Sequence, residues 1–272
     1  MGFLSSEGIG SRMRVMPDAN DLTSASYWDK WWNRDAPLDP PIRSHWTEIG
    51  ANGYFLRAVE RYTGSLTGKS VVELGGALSN RLLAMAKWRN VQATAIDYSR
   101  VGLASSQKMF ENNGCSIELI CGDFFDRSLT AKQFDVVTHW GVLEHQIDPQ
   151  PLIRRSIELA KPGGHVIFTM PQMLGPGAWL WRHWSPESWK LHILHRDDSI
   201  SQAFADCGLS CKRIFFGAPF IQIEPCETKG VLSRVASFSQ FWIRQFGRFR
   251  ILPFDRGLPY LSENRGFVGH KS

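Results

Sequence analysis

Long apolar segments are missing from this chain of 272 residues. No run of 18 or more apolar residues occurs and no signal-peptide core is recognisable, so the sequence predicts neither a membrane-spanning helix nor secretion. Hydrophobic residues make up 43% and charged residues 21%, which are ordinary values for a globular protein with a sizeable core. We therefore expect a cytoplasmic protein.

Cysteine and excess charge are both scarce. The formal net charge of +5 is too small to indicate a nucleic-acid partner on its own. The cysteines are odd in number and lack the spacing of a metal site, so we expect reduced thiols and no disulfide framework. They are Cys115, Cys121, Cys207, Cys211 and Cys226.

A glycine turn follows an apolar run near residue 75. The run contains Glu73 close to its end, continues into Gly75 and Gly76, and then opens into a predicted helix. Glycines let the backbone approach a ligand, and a helix N-terminus offers unpaired N–H groups. About 20 residues later, Asp97 ends a second apolar run, where its carboxylate can reach a ribose. These features predict a nucleotide-binding crevice.

Strand and helix patterns alternate through the middle of the chain, which predicts a parallel, doubly wound α/β sheet. Each predicted strand is apolar almost throughout, as expected when helices cover both faces. The predicted strands are 70–74, 91–96, 116–121, 134–139, 164–170, 209–217 and 265–270. The predicted helices are 43–62, 79–89, 99–113, 149–160 and 197–207.

Five motifs follow one another in order: VELGG, AIDYS, CGDFF, FDVVTHWGVLEH and LAKPGGHVIFTMP. Together they resemble the class I S-adenosylmethionine-dependent methyltransferases from about Val71 to Pro171. The GVLEH form is similar to members that act on small molecules, saccharides and lipid-linked intermediates. The resemblance implies S-adenosylmethionine as cofactor and a seven-stranded, mostly parallel sheet of Rossmann-like type whose last strand is antiparallel.

The resemblance also implies which residues contact the cofactor. Glu73 and the glycine turn would flank its methionine end, Asp97 would hold the ribose hydroxyls, and Asp123 the adenine amine. The backbone near His139 would lie beneath the sulfonium. The complete predicted set is Glu73, Gly75, Gly76, Asp97, Tyr98, Asp123, Phe124, His139 and Trp140.

One departure from the family pattern lies in the glycine turn. The second and third glycines of the usual motif are here Ala77 and Ser79. Alanine adds only a methyl group and is tolerated at negative φ, while serine is a good N-cap for the next helix. The departure bears on the geometry of the turn more than on the class of ligand.

Three parts are predicted along the chain. Residues 1–65 form an N-terminal helical arm with lid helices, 66–217 the cofactor-binding core, and 218–272 an insertion with an amphipathic helix and a final edge strand. Seven of the eleven tryptophans fall in two appendages outside the sheet, which predicts a lid or an apolar pocket. They are Trp28, Trp31, Trp32, Trp179, Trp181, Trp184 and Trp189.

Candidate catalytic residues follow the fourth strand. By resemblance Glu144 and His145 lie near the point of methyl transfer, and histidine suits general-base chemistry at neutral pH. The alternative is that both orient the loop through hydrogen bonds. We predict substrate contacts at Trp28, His192 and His195. The His-x-x-His spacing of the last two lacks a third ligand, so no metal is predicted.

The motifs predict methyl transfer to a hydroxyl or amine of a small molecule, saccharide or lipid-linked intermediate, with no nucleic-acid substrate. A base-methylating enzyme usually carries Asn/Asp-Pro-Pro-Tyr/Phe after the fourth strand, where this chain has His139-Trp140-Gly141-Val142. Two alternatives remain open. One is a nicotinamide-dependent oxidoreductase, and the other is a non-catalytic cofactor-binding or scaffold protein.

The segment from Thr228 to Leu252 carries five basic residues and no acidic one. On a helix, its apolar residues form one stripe with arginines on the flank. The stripe could lie in a membrane interface, which predicts weak membrane-surface contact through residues 231–249 and a peripheral location. The alternative is that it packs on the sheet edge or forms the substrate lid. The stripe consists of Val231, Val235, Phe238, Trp242, Phe246 and Phe249.

Overall fold

A seven-stranded sheet lies at the centre of the structure. The computed structural model describes residues 21–32, 51–128, 131–219, 256–272 and five positions between 231 and 242. Its strands are β1 (Ser70–Leu74), β2 (Gln92–Asp97), β3 (Glu118–Cys121), β4 (Phe134–Trp140), β5 (Ala160–Pro171), β6 (Cys211–Pro219) and β7 (Ser262–His270). Its helices are α1 (Ala25–Trp32), α2 (Ala51–Thr63), α3 (Asn80–Arg89), α4 (Arg100–Asn112), α5 (Gln150–Leu159), α6 (Pro176–Trp184), α7 (Pro186–Lys190) and α8 (Asp197–Asp206). The predicted helix 43–62 corresponds to α2 from residue 51 onward, and its first part, residues 43–50, lies outside the described residues. Cys226 lies outside them as well.

The strand order is β3-β2-β1-β4-β5-β7-β6. Strands β1 to β5 are parallel, and β7 runs antiparallel to both of its neighbours. This confirms the predicted doubly wound, mostly parallel α/β sheet of seven strands. The order reverses between β1 and β4, and ligands bind in sheets of this kind at the carboxyl ends of the strands beside such a reversal.

The prediction of a final edge strand is wrong, because β7 is inserted between β5 and β6. Its polar residues Asn264 and Arg265 are 2% and 1% exposed. Gly266 lets β5 approach closely, since a Cβ there would lie 2.5 Å from the backbone oxygen of Phe168. Polar composition therefore does not mark β7 as exposed.

The sheet buries apolar side chains on both faces, with successive residues alternating between them. On one face Val71 belongs to a cluster with residues of α2, α3 and α4. On the other, Val72 packs in a cluster with residues of α5 and α8. Helix α2 contributes Phe55 and Val59, both essentially buried, to the first cluster. The central strands β1, β2 and β4 are therefore covered on both sides, as their apolar sequences predict, whereas β3 at the edge keeps Glu118 and Cys121 exposed.

The segment 21–32 is attached at two places. At one end, the Leu22 N–H donates to the His145 carbonyl over 3.0 Å. At the other, the Ser99 hydroxyl donates to the Asp29 carboxylate over 2.6 Å. Trp32 packs so tightly on α4 that a Cβ at Gly102 would lie 2.8 Å from its ring. Helix α1 is thereby held over the carboxyl ends of the central strands.

Candidate active site

A cavity of about 600 Å³ opens at the carboxyl ends of β1, β2 and β4. Most of the predicted site residues line it: Glu73, Gly75, Asp97, Tyr98, Phe124, Trp140, Glu144, His145, His192 and Trp28. The exceptions are Gly76, Asp123, His139 and His195. The fold thus brings together side chains as far apart in the sequence as Trp28 and His192, a separation of 164 residues that no local sequence pattern could predict.

The glycine turn needs its two glycines for different reasons. Gly75 has a φ of 69°, and a Cβ there would lie 2.7 Å from the Val142 side chain. Gly76 packs against β2, where a Cβ would lie 2.9 Å from that of Ala95. A second positive φ, of 51°, falls on Leu78 rather than on a glycine. The turn therefore keeps its course with alanine and serine at the two substituted motif positions.

Ala77 and Ser79 connect the turn to the two acidic residues of the site. The Ala77 N–H donates to Asp97 Oδ2 over 3.1 Å. Ser79 caps α3 by accepting from the Leu82 N–H, as predicted, and its hydroxyl also donates to Glu73 Oε2 over 2.7 Å. Serine in place of the third glycine thus contributes a second hydrogen bond that positions Glu73.

Burial changes the acidity of both carboxyl groups. It raises the pKa of Glu73 to about 7, against the opposing effects of the Ser79 hydrogen bond and the Arg81 charge. It raises the pKa of Asp97 to about 6, against hydrogen bonds from the backbone of Ser99 and Ala77. Both groups face the cavity, where a ligand that donates hydrogen bonds or carries positive charge would favour their ionised forms.

Arg81 is a site residue that the sequence analysis missed. It lies in the first turn of α3, lines the cavity and places its guanidinium on the Trp140 ring. Burial lowers its pKa, against the charges of Glu73, Glu263 and Glu144. A cation in the first turn of a helix opposes the helix dipole. A basic residue in the first turn of a predicted helix was therefore the sequence feature that could have identified Arg81. In the structure, its guanidinium can bind an anion.

A second group of polar side chains lines the same cavity, on the 3₁₀ turn Leu143–His145 and the loop after α7. The rings of His145 and His192 are 4.7 Å apart, and Glu144 is 1% exposed. Burial lowers the pKa of both histidines to about 4 and raises that of Glu144 to about 8. One donor atom from each of the three lies within 4.8 Å of the others. The predicted catalytic pair is thus joined by one predicted substrate residue.

Aromatic rings enclose this end of the cavity. Trp28 meets His145 edge to face at 5.7 Å, and Trp181 meets His192 in the same way at 4.6 Å. Trp31 and Trp32 add further lining. Four of the seven tryptophans assigned to the two appendages therefore line the cavity, which fits the predicted apolar pocket.

Four predicted residues lie away from the cavity lining. His195 Nε2 bonds to the carbonyls of Leu143 and Gln146, so it supports the 3₁₀ turn from behind and its position does not suit substrate contact. His139 is buried against Phe168, which lowers its pKa to about 3. Asp123 accepts from the Phe125 N–H, which is the local capping role. Gly76 shapes the turn.

The cavity fits S-adenosylmethionine in its charges and shape. Asp97 offers a carboxylate to a ribose diol at the end of β2, and Phe124 offers a ring for a base. Glu73 can face an ammonium group. Arg81 can face a carboxylate, and its Nε has no hydrogen-bond partner among the described residues. Gly75 provides a cradle that a Cβ would fill.

Known proteins agree with this fit. A family model described as "Methyltransferase domain" matches residues 49–213, more than half of the chain. A ubiquinone biosynthesis O-methyltransferase of Pseudomonas syringae pv. tomato is 31% identical over 155 residues, 52% of this chain and 57% of its own length. One of Pseudomonas entomophila is 33% identical over 156 residues, with the same coverage. The chain thus spans little more than half the length of these relatives.

Solved structures extend the likeness to the fold. Haemonchus contortus phosphoethanolamine N-methyltransferase 2, in complex with phosphomonomethylethanolamine and S-adenosylhomocysteine, has a TM-score of 0.53 at 14% identity, over 81% of this chain and 52% of its own. An O-methyltransferase family protein from Burkholderia thailandensis has a TM-score of 0.52 at 14% identity, over 83% of this chain and 57% of its own. The chain belongs to the class I S-adenosylmethionine-dependent methyltransferase family.

Proposed function

We propose that the chain transfers a methyl group from S-adenosylmethionine to a hydroxyl of a small molecule with an apolar or aromatic body. One observation carries the proposal. A single cavity is lined by Glu73, Asp97 and Arg81 and also by Glu144 and two histidines among tryptophans. The first group suits the donor, and the second suits an apolar acceptor with one reactive oxygen.

The similar proteins support oxygen as the acceptor atom, and the family model supports a methyltransferase as the class of enzyme. The relatives are named ubiquinone biosynthesis O-methyltransferases, which is consistent with an acceptor of aromatic or lipid-linked type. Family membership decides against the alternative of a nicotinamide-dependent oxidoreductase. The alternative of a non-catalytic cofactor-binding protein predicts binding without turnover, which an assay distinguishes.

The protein's own contribution is positioning and exclusion of water. S-adenosylmethionine supplies a methyl group already activated by its sulfonium. The residues then need to align an acceptor oxygen with that carbon and keep water out. Helix α1 covers the cavity, and the Trp140 ring with the Arg81 guanidinium on it forms part of the wall between the two halves. The acceptor's proton would leave at the group of Glu144, His145 and His192.

The test is transfer of a labelled methyl group to a panel of acceptors. We expect product with phenols and catechols carrying an apolar substituent, and none with matched amines or with nucleic acid. Mass spectrometry of the product identifies the methylated atom. Binding of S-adenosylmethionine with no turnover on any member of the panel would favour the non-catalytic alternative, and turnover on amines alone would contradict oxygen as the acceptor.

Replacing His145 by glutamine should lower turnover by about 100-fold or more at neutral pH. His145 lines the cavity between Trp28 and His192, so the loss should appear in kcat while cofactor affinity stays nearly constant. His165→Gln is the matched control, since that ring lies on β5 beside His270 and away from the cavity. Activity within a few-fold of wild type in His145→Gln would leave His145 a structural role only.

We further propose that the stripe within 231–249 contacts an anionic membrane surface. Residues 231, 234, 235, 238 and 242 are helical. Val231, Val235, Phe238 and Trp242 are 77%, 55%, 64% and 47% exposed, so much of each side chain lies at the protein surface. Phe246 and Phe249 lie outside the described residues. No described helix is long and apolar enough to cross a bilayer, so contact would be interfacial.

Co-sedimentation with anionic vesicles tests this contact. We expect binding at low salt that weakens at high salt through charge screening, and a further loss in Phe238→Ser/Trp242→Ser. Trp179→Ser is the control, since Trp179 is 63% exposed but outside the stripe. Absence of binding at low salt, or equal loss in the control, would favour the alternative in which the stripe serves as lid or core.

A further inference from the structure

Three potential metal ligands meet in the half of the cavity assigned to the acceptor. Glu144 and His145 come from the 3₁₀ turn after β4, and His192 comes from the loop after α7. The Ile193 N–H donates to the Glu144 carbonyl over 2.6 Å, so the two segments are joined next to these side chains. One donor atom from each side chain lies within 4.8 Å of the others.

Both imidazoles are fixed in the same tautomer. Nδ1 of His145 lies 2.6 Å from the Leu191 carbonyl oxygen, and Nδ1 of His192 lies 2.6 Å from that of Ser188. A carbonyl oxygen only accepts, so each Nδ1 carries the proton and each Nε2 keeps its lone pair. Histidines that ligate metals are oriented in this way by backbone carbonyls. Trp28 and Trp181 further restrict the two rings.

The carboxylate of Glu144 completes the set. It is 1% exposed, and its Oε2 has no hydrogen-bond partner among the described residues. A buried carboxylate oxygen with no hydrogen-bond donor is costly, and a bound cation would offset that cost. Two imidazole nitrogens and one carboxylate oxygen, with further coordination positions open, form a ligand set typical of first-row transition-metal ions.

We propose that Glu144, His145 and His192 bind one divalent transition-metal ion, such as Zn²⁺. Donor atoms on a tetrahedral ion with bonds of about 2.1 Å are about 3.4 Å apart, so the set closes with side-chain shifts of roughly 1 Å. The three residues line the cavity, so positions left open on the ion would be accessible to the acceptor's oxygen. This last part rests on the proposed function, whereas the metal site itself does not.

The proposed site differs from the expectation that no metal is bound. The sequence spacing paired His192 with His195, and no third ligand followed. In the structure, His195 instead bonds to the carbonyls of Leu143 and Gln146, while His192 faces His145. With a metal bound, His145 would act as a ligand rather than as a general base. The ion would lower the pKa of the acceptor's hydroxyl, whose proton would pass to a water molecule before the oxygen attacks the methyl group.

Titration of the full chain with Co²⁺, followed by its visible absorption, tests the site. We expect saturation at one equivalent, displacement by Zn²⁺, and affinity lower by roughly 100-fold or more in Glu144→Gln, His145→Gln and His192→Gln. His183→Gln is the control, since His183 is exposed and stacks on Trp179 outside the cavity. Thermal melts check that the variants fold.

Absence of Co²⁺ absorption in the wild-type protein, or affinity unchanged in all three ligand variants, would overturn the metal site. Chelation of the wild-type protein separates the two proposals, because it needs no variant. Methyl transfer that survives complete metal removal would refute a role for the ion while leaving the proposed function intact. Metal binding without methyl transfer would contradict the proposed function while leaving the site intact.

Discussion

Replacing Asp197 by alanine should lower the free energy of unfolding by about 3–5 kcal/mol. Asp197 is 6% exposed in the first turn of α8, where it accepts from Arg265 Nη1 of β7. Arg265 is 1% exposed, and its other main partner is the His195 carbonyl at 2.6 Å. Without Asp197, the guanidinium stays buried with its charge uncompensated, which is the costly outcome for such a pair.

Urea unfolding of Asp197→Ala measures this loss as a shift of the midpoint. Asp198→Ala is the matched control, because Asp198 lies in the same helical turn but is exposed. Both variants lose the same favourable charge at the helix N-terminus, so their difference isolates the ion pairs that Asp197 makes with Arg265 and, at 3.2 Å, with Arg213. We expect about 0.5 kcal/mol for the control. A difference between the two variants below about 1 kcal/mol would contradict a structural role for the pair.

A double variant distinguishes the net contribution of the Asp197–Arg265 ion pair from the cost of leaving Arg265 buried without its partner. In Asp197→Leu/Arg265→Met both charges are removed, and well-packed apolar replacements for buried pairs are often close to neutral. We therefore expect the double variant to be more stable than Asp197→Ala. If the double variant loses as much free energy of unfolding as Asp197→Leu and Arg265→Met lose together, the two groups act independently.

Local signals predicted most of the fold. Strand 70–74 matches β1, and helix 79–89 differs from α3 only in counting its N-cap, Ser79, as helical. Apolar runs mark strands that are buried on both faces, and capping residues mark where helices begin, so both can be seen in a short window. The position of β7 inside the sheet could not be predicted from a short window. Its buried Arg265 is stabilised by Asp197, which lies 68 residues earlier in the chain.

The donor half of the site was more predictable than the acceptor half. Glu73 and Asp97 lie near the carboxyl ends of the neighbouring parallel strands β1 and β2, so the pairing of these strands brings them together. His145 and His192 meet through contacts between two irregular segments, and spacing in the sequence carries no information about such a meeting. Arg81 was missed because its role depends on Trp140 and three carboxyl groups from other elements.

Replacing Asp97 by alanine should weaken S-adenosylmethionine binding by roughly 30- to 1000-fold. The Asp97 carboxylate lines the cavity at the end of β2, where we expect it to accept hydrogen bonds from both ribose hydroxyls. Losing this charge-assisted pair costs about 2–4 kcal/mol. Calorimetric titration measures the effect directly, and unchanged affinity would eliminate the ribose assignment.

Asp97 also supports the glycine turn. The loss of affinity that comes from the missing ribose hydrogen bonds must therefore be distinguished from a loss that comes from a disordered turn. It accepts from the backbone N–H groups of Ala77 and Ser99 over 3.1 and 2.8 Å. Asp97→Asn keeps the size and one oxygen while removing the charge, and we expect it to weaken binding by on the order of 10-fold. A melt of the ligand-free variants reports any loss of the turn.

Asp135→Ala is the matched control for losing a carboxylate associated with a strand. Asp135 begins β4 at the opposite end of the sheet, where it accepts from Ser70 N–H and Lys161 Nζ over 2.8 and 3.0 Å. Its removal should lower stability and leave cofactor affinity within about 2-fold of wild type. A comparable loss of affinity in this control would mean that Asp97→Ala acts through the fold rather than through the ribose.

The pH dependence of cofactor binding gives a second, independent readout of Asp97. Burial raises its pKa to about 6 in the free protein, so the carboxylate is ionised above that pH and neutral below it. The ionised form accepts hydroxyl hydrogen bonds more strongly. Affinity should therefore fall as the pH is lowered through about 6. Glu73, whose pKa is about 7, contributes in both proteins, so the difference between wild type and Asp97→Asn isolates Asp97. Parallel pH profiles in the two proteins would show that Asp97 does not bind the ribose as its carboxylate.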